Sequence, residues 1–167
     1  MKLPRVLRST ILIATFVLLP ARCAPGDNER TRNSLRGLAG AEVLIEGLSA
    51  DAKQDGLNEQ DIQTDVELTL RLAGIKVLTR RESITTPGIP CLYVNVGLLS
   101  RGGTYTSSIE VSLEQEALLE RDPTIRTTVA TWSVGSIGIV GKTQIRGAIK
   151  DEIDKFLNAY LSVNPKK

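Results

Sequence analysis

The chain has 167 residues, 21 basic and 19 acidic side chains, two cysteines and no histidine. Without histidine no Ser-His-Asp or Cys-His catalytic arrangement can form, and a zinc site built from these cysteines is implausible. Residues 1–23 hold Lys2, Arg5, Arg8 and Arg22 and no acid, so the net +2 of the chain becomes −2 over residues 24–167, which gives no electrostatic case for nucleic acid.

The first 23 residues have the three parts of a secretory signal: the basic residues Lys2, Arg5 and Arg8, an apolar stretch from Thr10 to Leu19, and small Ala21 and Cys23 around a cleavage site. The apolar stretch is short for about 30 Å of hydrocarbon, so the pattern predicts an exported protein, periplasmic or secreted. Lipid attachment at Cys23 is the variant reading, and it is the one route to membrane contact. Arg22, bulky and charged, fits poorly beside such a cysteine. If Cys23 leaves with the signal, Cys91 has no partner for an intramolecular disulfide, and the fold stands on packing.

Residues 24–40 are polar, with Pro25, Gly26 and Asn28, and read as a flexible leader. One α+β domain is expected over residues 41–165. Residues 41–48 form a short strand with Val43 and Ile45 on one face and Glu42 and Glu46 on the other. Asn58 caps a helix whose first turn carries Glu59 and Asp61. Ile62, Val66, Leu70 and Ala73 mark its buried stripe, and Gly74 ends it. Residues 75–79 resume as a strand, and residues 85–90 form a loop.

Leu92, Val94, Val96 and Leu98 alternate with Tyr93, Asn95 and Gly97 in a half-buried strand. Gly102 and Gly103 supply a hairpin turn. The next strand buries Ile109, Val111 and Leu113 and exposes Ser108, Glu110, Ser112 and Glu114. A loop through Asp122 and Pro123 leads to a strand over residues 126–134. Residues 135–142 read as a glycine-rich hinge, with Thr143 capping a last helix. That helix buries Ile145, Ile149, Ile153, Phe156, Tyr160 and Leu161, and Pro165 lies just past its end. The order is β-α-β-β-β-β-α, predicting a mostly antiparallel sheet with two helices packed on one face.

Two motifs imitate ligand sites. A phosphate loop needs a glycine separated by four residues from Gly141-Lys142-Thr143; Ser136 occupies that place and Gly135 comes one residue early. No nucleotide or other cofactor is therefore expected. A calcium loop starting at Asp51 would have Lys53 at a ligand position and Ile62 where a closing glutamate belongs, so no metal is expected either. Cys91, at the head of an apolar strand, reads as a small hydrophobe. Trp132, in step with Ala130 and Val134, reads as core.

What remains is the strand face opposite the core residues. Tyr93, Asn95, Thr106, Ser108, Glu110, Ser112, Glu114, Thr131 and Ser133 fall on it, and Tyr93, Asn95, Glu110 and Thr131 are the candidate binding residues. A wet sheet face is the plainer reading of the same pattern. No catalytic residue is assigned. The leading functional reading is a non-enzymatic envelope domain that binds a protein partner through a sheet edge or this polar face. The alternatives are a small hydrolase with a carboxylate pair, which nothing in the sequence selects, and a lipid-anchored outer-membrane accessory protein.

The segments GLNEQDIQTDVELTLRLAGIKVL, LYVNVGLL, VATWSVGSIGIVG and IDKFLNAYLSVNP together resemble a family of small exported bacterial proteins over residues 41–165. That family has no assigned activity, so the resemblance transfers no site residues. In element order the chain is distantly similar to small α+β domains of envelope assembly proteins, such as the amino-terminal domain of the Tol translocation protein. That likeness implies a fold and no function.

Overall fold

The computed structural model describes residues 26–165; the segment expected to be an export signal, with Cys23, lies outside them. The described chain is α+β, with one four-stranded mixed sheet in the order β1-β2-β3-β4. The strands are β1 (Glu42–Glu46), β2 (Cys91–Arg101), β3 (Thr104–Leu119) and β4 (Asp122–Gly141). The helices are α1 (Glu29–Arg32), α2 (Ala50–Gln54), α3 (Glu59–Ala73), α4 (Arg80–Ser83) and α5 (Ile145–Val163). None of these helices is long and apolar enough to cross a membrane.

α3 forms as its sequence demands. The Asn58 side chain accepts from the Gln60 N–H at 2.9 Å, Glu59 and Asp61 occupy the positive end of the helix dipole, and Gly74 ends the helix with φ +85°. Ile62, Val66 and Leu70 are buried. They pack over β1, while α5 lies over β3 and β4 and touches α3. Ile145, Ile149, Ile153 and Phe156 of α5 are buried with Leu92, Val94 and Val96 of β2 and Ile109, Val111 and Leu113 of β3 in one core. Trp132 is fully buried there, in edge contact with Phe156 at 5.4 Å between ring centroids. Ala159 rather than Leu161 completes the α5 stripe.

β1 pairs parallel with β2, with α3 in the connection between them, whereas β2–β3 and β3–β4 are antiparallel. The sheet is thus mixed, a correction to the mostly antiparallel expectation. The β2–β3 turn is the Gly102-Gly103 pair, both with positive φ (+59° and +83°), the conformation that matches strand twist in a two-residue hairpin.

The expected strand over residues 75–79 does not form, so the five-strand order is corrected to four strands. Ala41 makes two backbone hydrogen bonds to this segment, to the Lys76 carbonyl at 3.1 Å and from the Leu78 N–H at 2.9 Å, in a single bridge to Val77. Thr79 and Glu82 then form a capping box that starts α4 and draws the chain away.

The glycine-rich hinge is also corrected. Residues 135–141 continue β4, a strand that begins at Asp122 and runs through the expected Asp122-Pro123 loop. Lys142–Gln144 make a 3-10 turn before α5, and Thr143 is not its cap. Residues 26–40, expected as a flexible leader, are packed instead. They contain α1 and a 3-10 turn at Asn33–Leu35, and Leu35 is fully buried. The Asp27 carboxylate accepts from the Trp132 indole N–H at 3.0 Å, and Asn164 at the end of α5 donates to the Leu35 carbonyl at 2.9 Å.

Candidate functional site

Among the described residues, α3 and α5 pack on one face of the sheet, and no helix packs over the centre of the other. Strand register sets what that open face presents. In one row Glu42 pairs with Cys91 and Cys91 with Glu114; two residues on, Leu44 pairs with Tyr93 and Tyr93 with Ser112; two further, Glu46 pairs with Asn95 and Asn95 with Glu110. Strands lie about 4.8 Å apart and rise about 3.3 Å per residue. At the backbone, then, Glu42, Glu46, Glu110 and Glu114 stand at the corners of a rectangle about 10 Å by 13 Å, with Tyr93 at its centre.

Hydrogen bonds tie the middle of this array together. The Tyr93 hydroxyl donates to Glu46 Oε2 at 2.9 Å, and the Asn95 amide donates to the Tyr93 hydroxyl oxygen at 3.2 Å. Gly47 makes the close approach possible: a Cβ there would lie 2.9 Å from Asn95 Oδ1 and 3.0 Å from the Val96 backbone, and its φ of +97° favours glycine. Burial raises the Tyr93 hydroxyl above its ordinary pKa, and the Glu46 carboxylate beside it adds to the rise. Arg80 pairs with Glu42 at 3.1 Å and Arg126 with Glu116 at 2.8 Å, at the margins of the array.

Cys91 lies inside the array, half-buried. Burial first, then the charges of Glu42 and Glu114, push its thiol up to about 12. A thiol held protonated in this way is a poor nucleophile at neutral pH. Among the described residues no group of three or more Cys, Asp or Glu side chains is placed to hold a metal ion. Glu46 and Glu110 stand two strands apart with Asn95 between them. The array presents spaced negative charge and hydrogen-bond acceptors, a chemistry that attracts cations and amide or ammonium donors.

Three of the four candidate residues, Tyr93, Asn95 and Glu110, therefore share one face. Thr131 does not, and its expected position is corrected. The ladder shifts register between Leu113 and Glu114, which pair with Trp132 and Ala130 and leave Thr131 in a bulge. Its hydroxyl accepts from the Gln115 side chain at 2.8 Å, and Gln115 alternates with Glu114 onto the helix side of the sheet. Ser112 and Ser133, expected on the exposed surface, are buried. Glu42 and Glu46 were legible as outward residues, but their membership of the site depends on β1 lying beside β2.

Two further surfaces stand out. A cleft of about 330 Å³ between α3 and α5 is lined by Ile62, Val66, Leu68 and Ile149, with the Asp65–Arg146 ion pair at its rim. A shallow groove of about 670 Å³ is lined by Ser108 and Glu110 of β3, Ser133–Ile137 of β4, Asp27 of the amino-terminal segment and Lys155 of α5. The calcium-like segment Asp51–Ile62 forms α2, a turn and the start of α3. Within it, Asp55 is engaged by the Tyr105 hydroxyl and Lys142. The phosphate-loop imitation lies in extended strand, with no ring of amides to receive a phosphate. Comparison of the chain with protein families, with curated proteins and with solved structures finds no match.

Proposed function

We propose that this protein is an exported, non-enzymatic binding domain of the bacterial envelope whose open sheet face receives a basic segment of a protein partner. The observation that carries the reading is the set of carboxylates around Tyr93 (Glu46, Glu110 and Glu114, with Glu42 already paired to Arg80) on the face that no described helix covers. Lys and Arg side chains of a partner would meet spaced carboxylates there, and such complementarity speeds encounter and rejects acidic partners. The secretory pattern of residues 1–23 supports a partner in the periplasm or outside the cell.

The test is crosslinking in cells followed by recovery from the envelope fraction through a carboxy-terminal tag. One dominant basic partner is expected with the natural protein, lost with the Glu46→Gln/Glu110→Gln/Glu114→Gln variant and weakened by salt. A protein recovered alone, or a partner retained by the variant, contradicts the reading. The intact mass of the recovered amino terminus tests export, and it separates removal of Cys23 from lipidation at it.

A further inference from the structure

The outer edge of β4 is protected along one half and bare along the other. Natural proteins block strand edges with proline, charge, bulges or a covering segment. From Asp122 to Trp132 all four are present. Pro123 and Arg126 lie in the strand and Thr131 forms the bulge. The amino-terminal segment covers the end of this half through Ser34, which donates to the Thr131 carbonyl at 3.4 Å, and Asp27 on the Trp132 indole. From Gly135 to Gly141 the strand itself has no proline, charge or bulge, and among the described residues no other segment makes backbone hydrogen bonds along this stretch of the edge. No charged residue occurs between Arg126 and Lys142, there is no proline, and the ladder with β3 runs without a shift.

This bare half carries Ile137 and Ile139, 82% and 77% exposed, on the open face. The Leu99–Thr106–Ile139 row adds Leu99, 69% exposed. Isolated exposed hydrophobes are ordinary, but a cluster on an unblocked edge marks an interaction surface.

We infer that the Gly135–Gly141 edge of β4 pairs antiparallel with the same segment of a second copy, about a twofold axis at Gly138. A twofold interface must be complementary to itself, and this segment is. A register in which residue numbers sum to twice 138 sets Ile137 opposite Ile139 of the second copy and Ile139 opposite its Ile137. Both pairs fall on the open face, so four isoleucines close over one another. The paired length ends at Gly141, where the 3-10 turn begins, and stays clear of the covered Trp132. No charge of either copy opposes a like charge within it. The two four-stranded sheets become one sheet of eight, with the two carboxylate arrays on the same side. The inference stands on the edge and its isoleucines and does not depend on what the carboxylates bind.

Sedimentation of the purified protein over a hundredfold range of concentration, together with a cysteine scan, tests this. The natural protein is expected to sediment as a dimer at the upper concentrations. Ile137→Lys/Ile139→Lys, which brings like charges together across the axis, is expected to sediment as a monomer with an unchanged circular dichroism spectrum. Gly138→Cys gives the register. A Cβ at Gly138 meets nothing within 4 Å, so the variant keeps its fold. Directly opposed residues of antiparallel strands have Cα atoms about 4.5–5.5 Å apart, within disulfide range. Gly138→Cys should oxidise to a covalent dimer, whereas Ser136→Cys, whose copies lie about 13 Å apart, should not. A monomer at every concentration, a dimer that survives the double lysine variant, or a Ser136→Cys crosslink exceeding that of Gly138→Cys overturns the inference. So does a natural protein that pairs this edge with a different protein while remaining monomeric.

Discussion

The two faces of the sheet are built from the same strands and carry opposite kinds of order. Toward α3 and α5, Leu92, Val94, Val96, Ile109, Val111, Leu113 and Trp132 are sealed in apolar contact. On the other side the same alternation presents Glu42, Tyr93, Asn95, Glu110 and Glu114, and the order there comes from hydrogen bonds and register. The difference shows how one pattern divides its labour. Burial on the first face supplies the stability, so the second is free to hold spaced charge that contributes little to folding.

Breaking the covered face should have the largest effect. Trp132→Ala removes a fully buried ring, its contact with Phe156 and its hydrogen bond to Asp27. It should cost about 3–5 kcal/mol in denaturant unfolding. Leu35→Ala should cost about 2–4 kcal/mol, because this residue anchors the amino-terminal segment in the core. A Leu35→Ala protein as stable as the natural one would mean that residues 26–40 are not part of the folded unit.

Within β4 two glycines sharpen the contrast between tight and open positions. A Cβ at Gly135 would lie 2.8 Å from the Ile109 carbonyl oxygen, whereas one at Gly138 meets nothing within 4 Å. Gly135→Ala should therefore destabilise by about 1–3 kcal/mol, and Gly138→Ala should be nearly neutral by the same unfolding assay. Equal effects would contradict the close approach of β3 to β4 at Gly135.

Acid should loosen the amino-terminal segment by a route that can be isolated. The Asp27 carboxyl is held below its ordinary range by its hydrogen bonds to Arg32 and then to Trp132, against the opposing effect of burial. A depressed folded-state pKa adds stability above the unfolded value near 4 that is lost as pH falls through the folded one. Trp132 fluorescence followed from pH 6 to pH 2 should show this loss, and Asp27→Asn should flatten it. An identical acid profile in Asp27→Asn would exclude this contact as its source.

The smallest effect on stability is expected on the open face. Glu46→Gln, Glu110→Gln and Glu114→Gln should each shift the unfolding midpoint by less than about 3 °C, while together they abolish partner recovery. A large loss of stability from any of them would make the array structural and remove the argument for recognition.

Local signals made much of this arrangement readable in the sequence. The Asn58 cap, the Ile62–Val66–Leu70 stripe and Gly74 are local, and α3 follows them. The alternation from Leu92 to Leu98 likewise specifies which side of β2 is buried. Elsewhere the structure departs from the pattern, through one competing local signal and several tertiary contacts. Residues 75–79 have a strand composition, yet the Thr79–Glu82 capping box ends their pairing after one bridge. The glycines from 135 to 141 suggest a hinge, but pairing with β3 keeps the chain extended. Alternation cannot reveal a bulge, so the pattern alone puts Thr131 on the wrong face. In the site, Tyr93, Asn95 and Glu110 were legible because their strands are consecutive. The other side of the array was not, because placing Glu42 and Glu46 beside them requires the parallel pairing of β1 with β2.

The most direct test places a photo-crosslinking residue at Glu110 on the open face and, separately, at exposed Leu72 on α3, and irradiates intact cells. A specific protein adduct is expected from position 110 and none from position 72. No adduct from position 110, or the same adduct from both, would contradict the open face as the recognition surface.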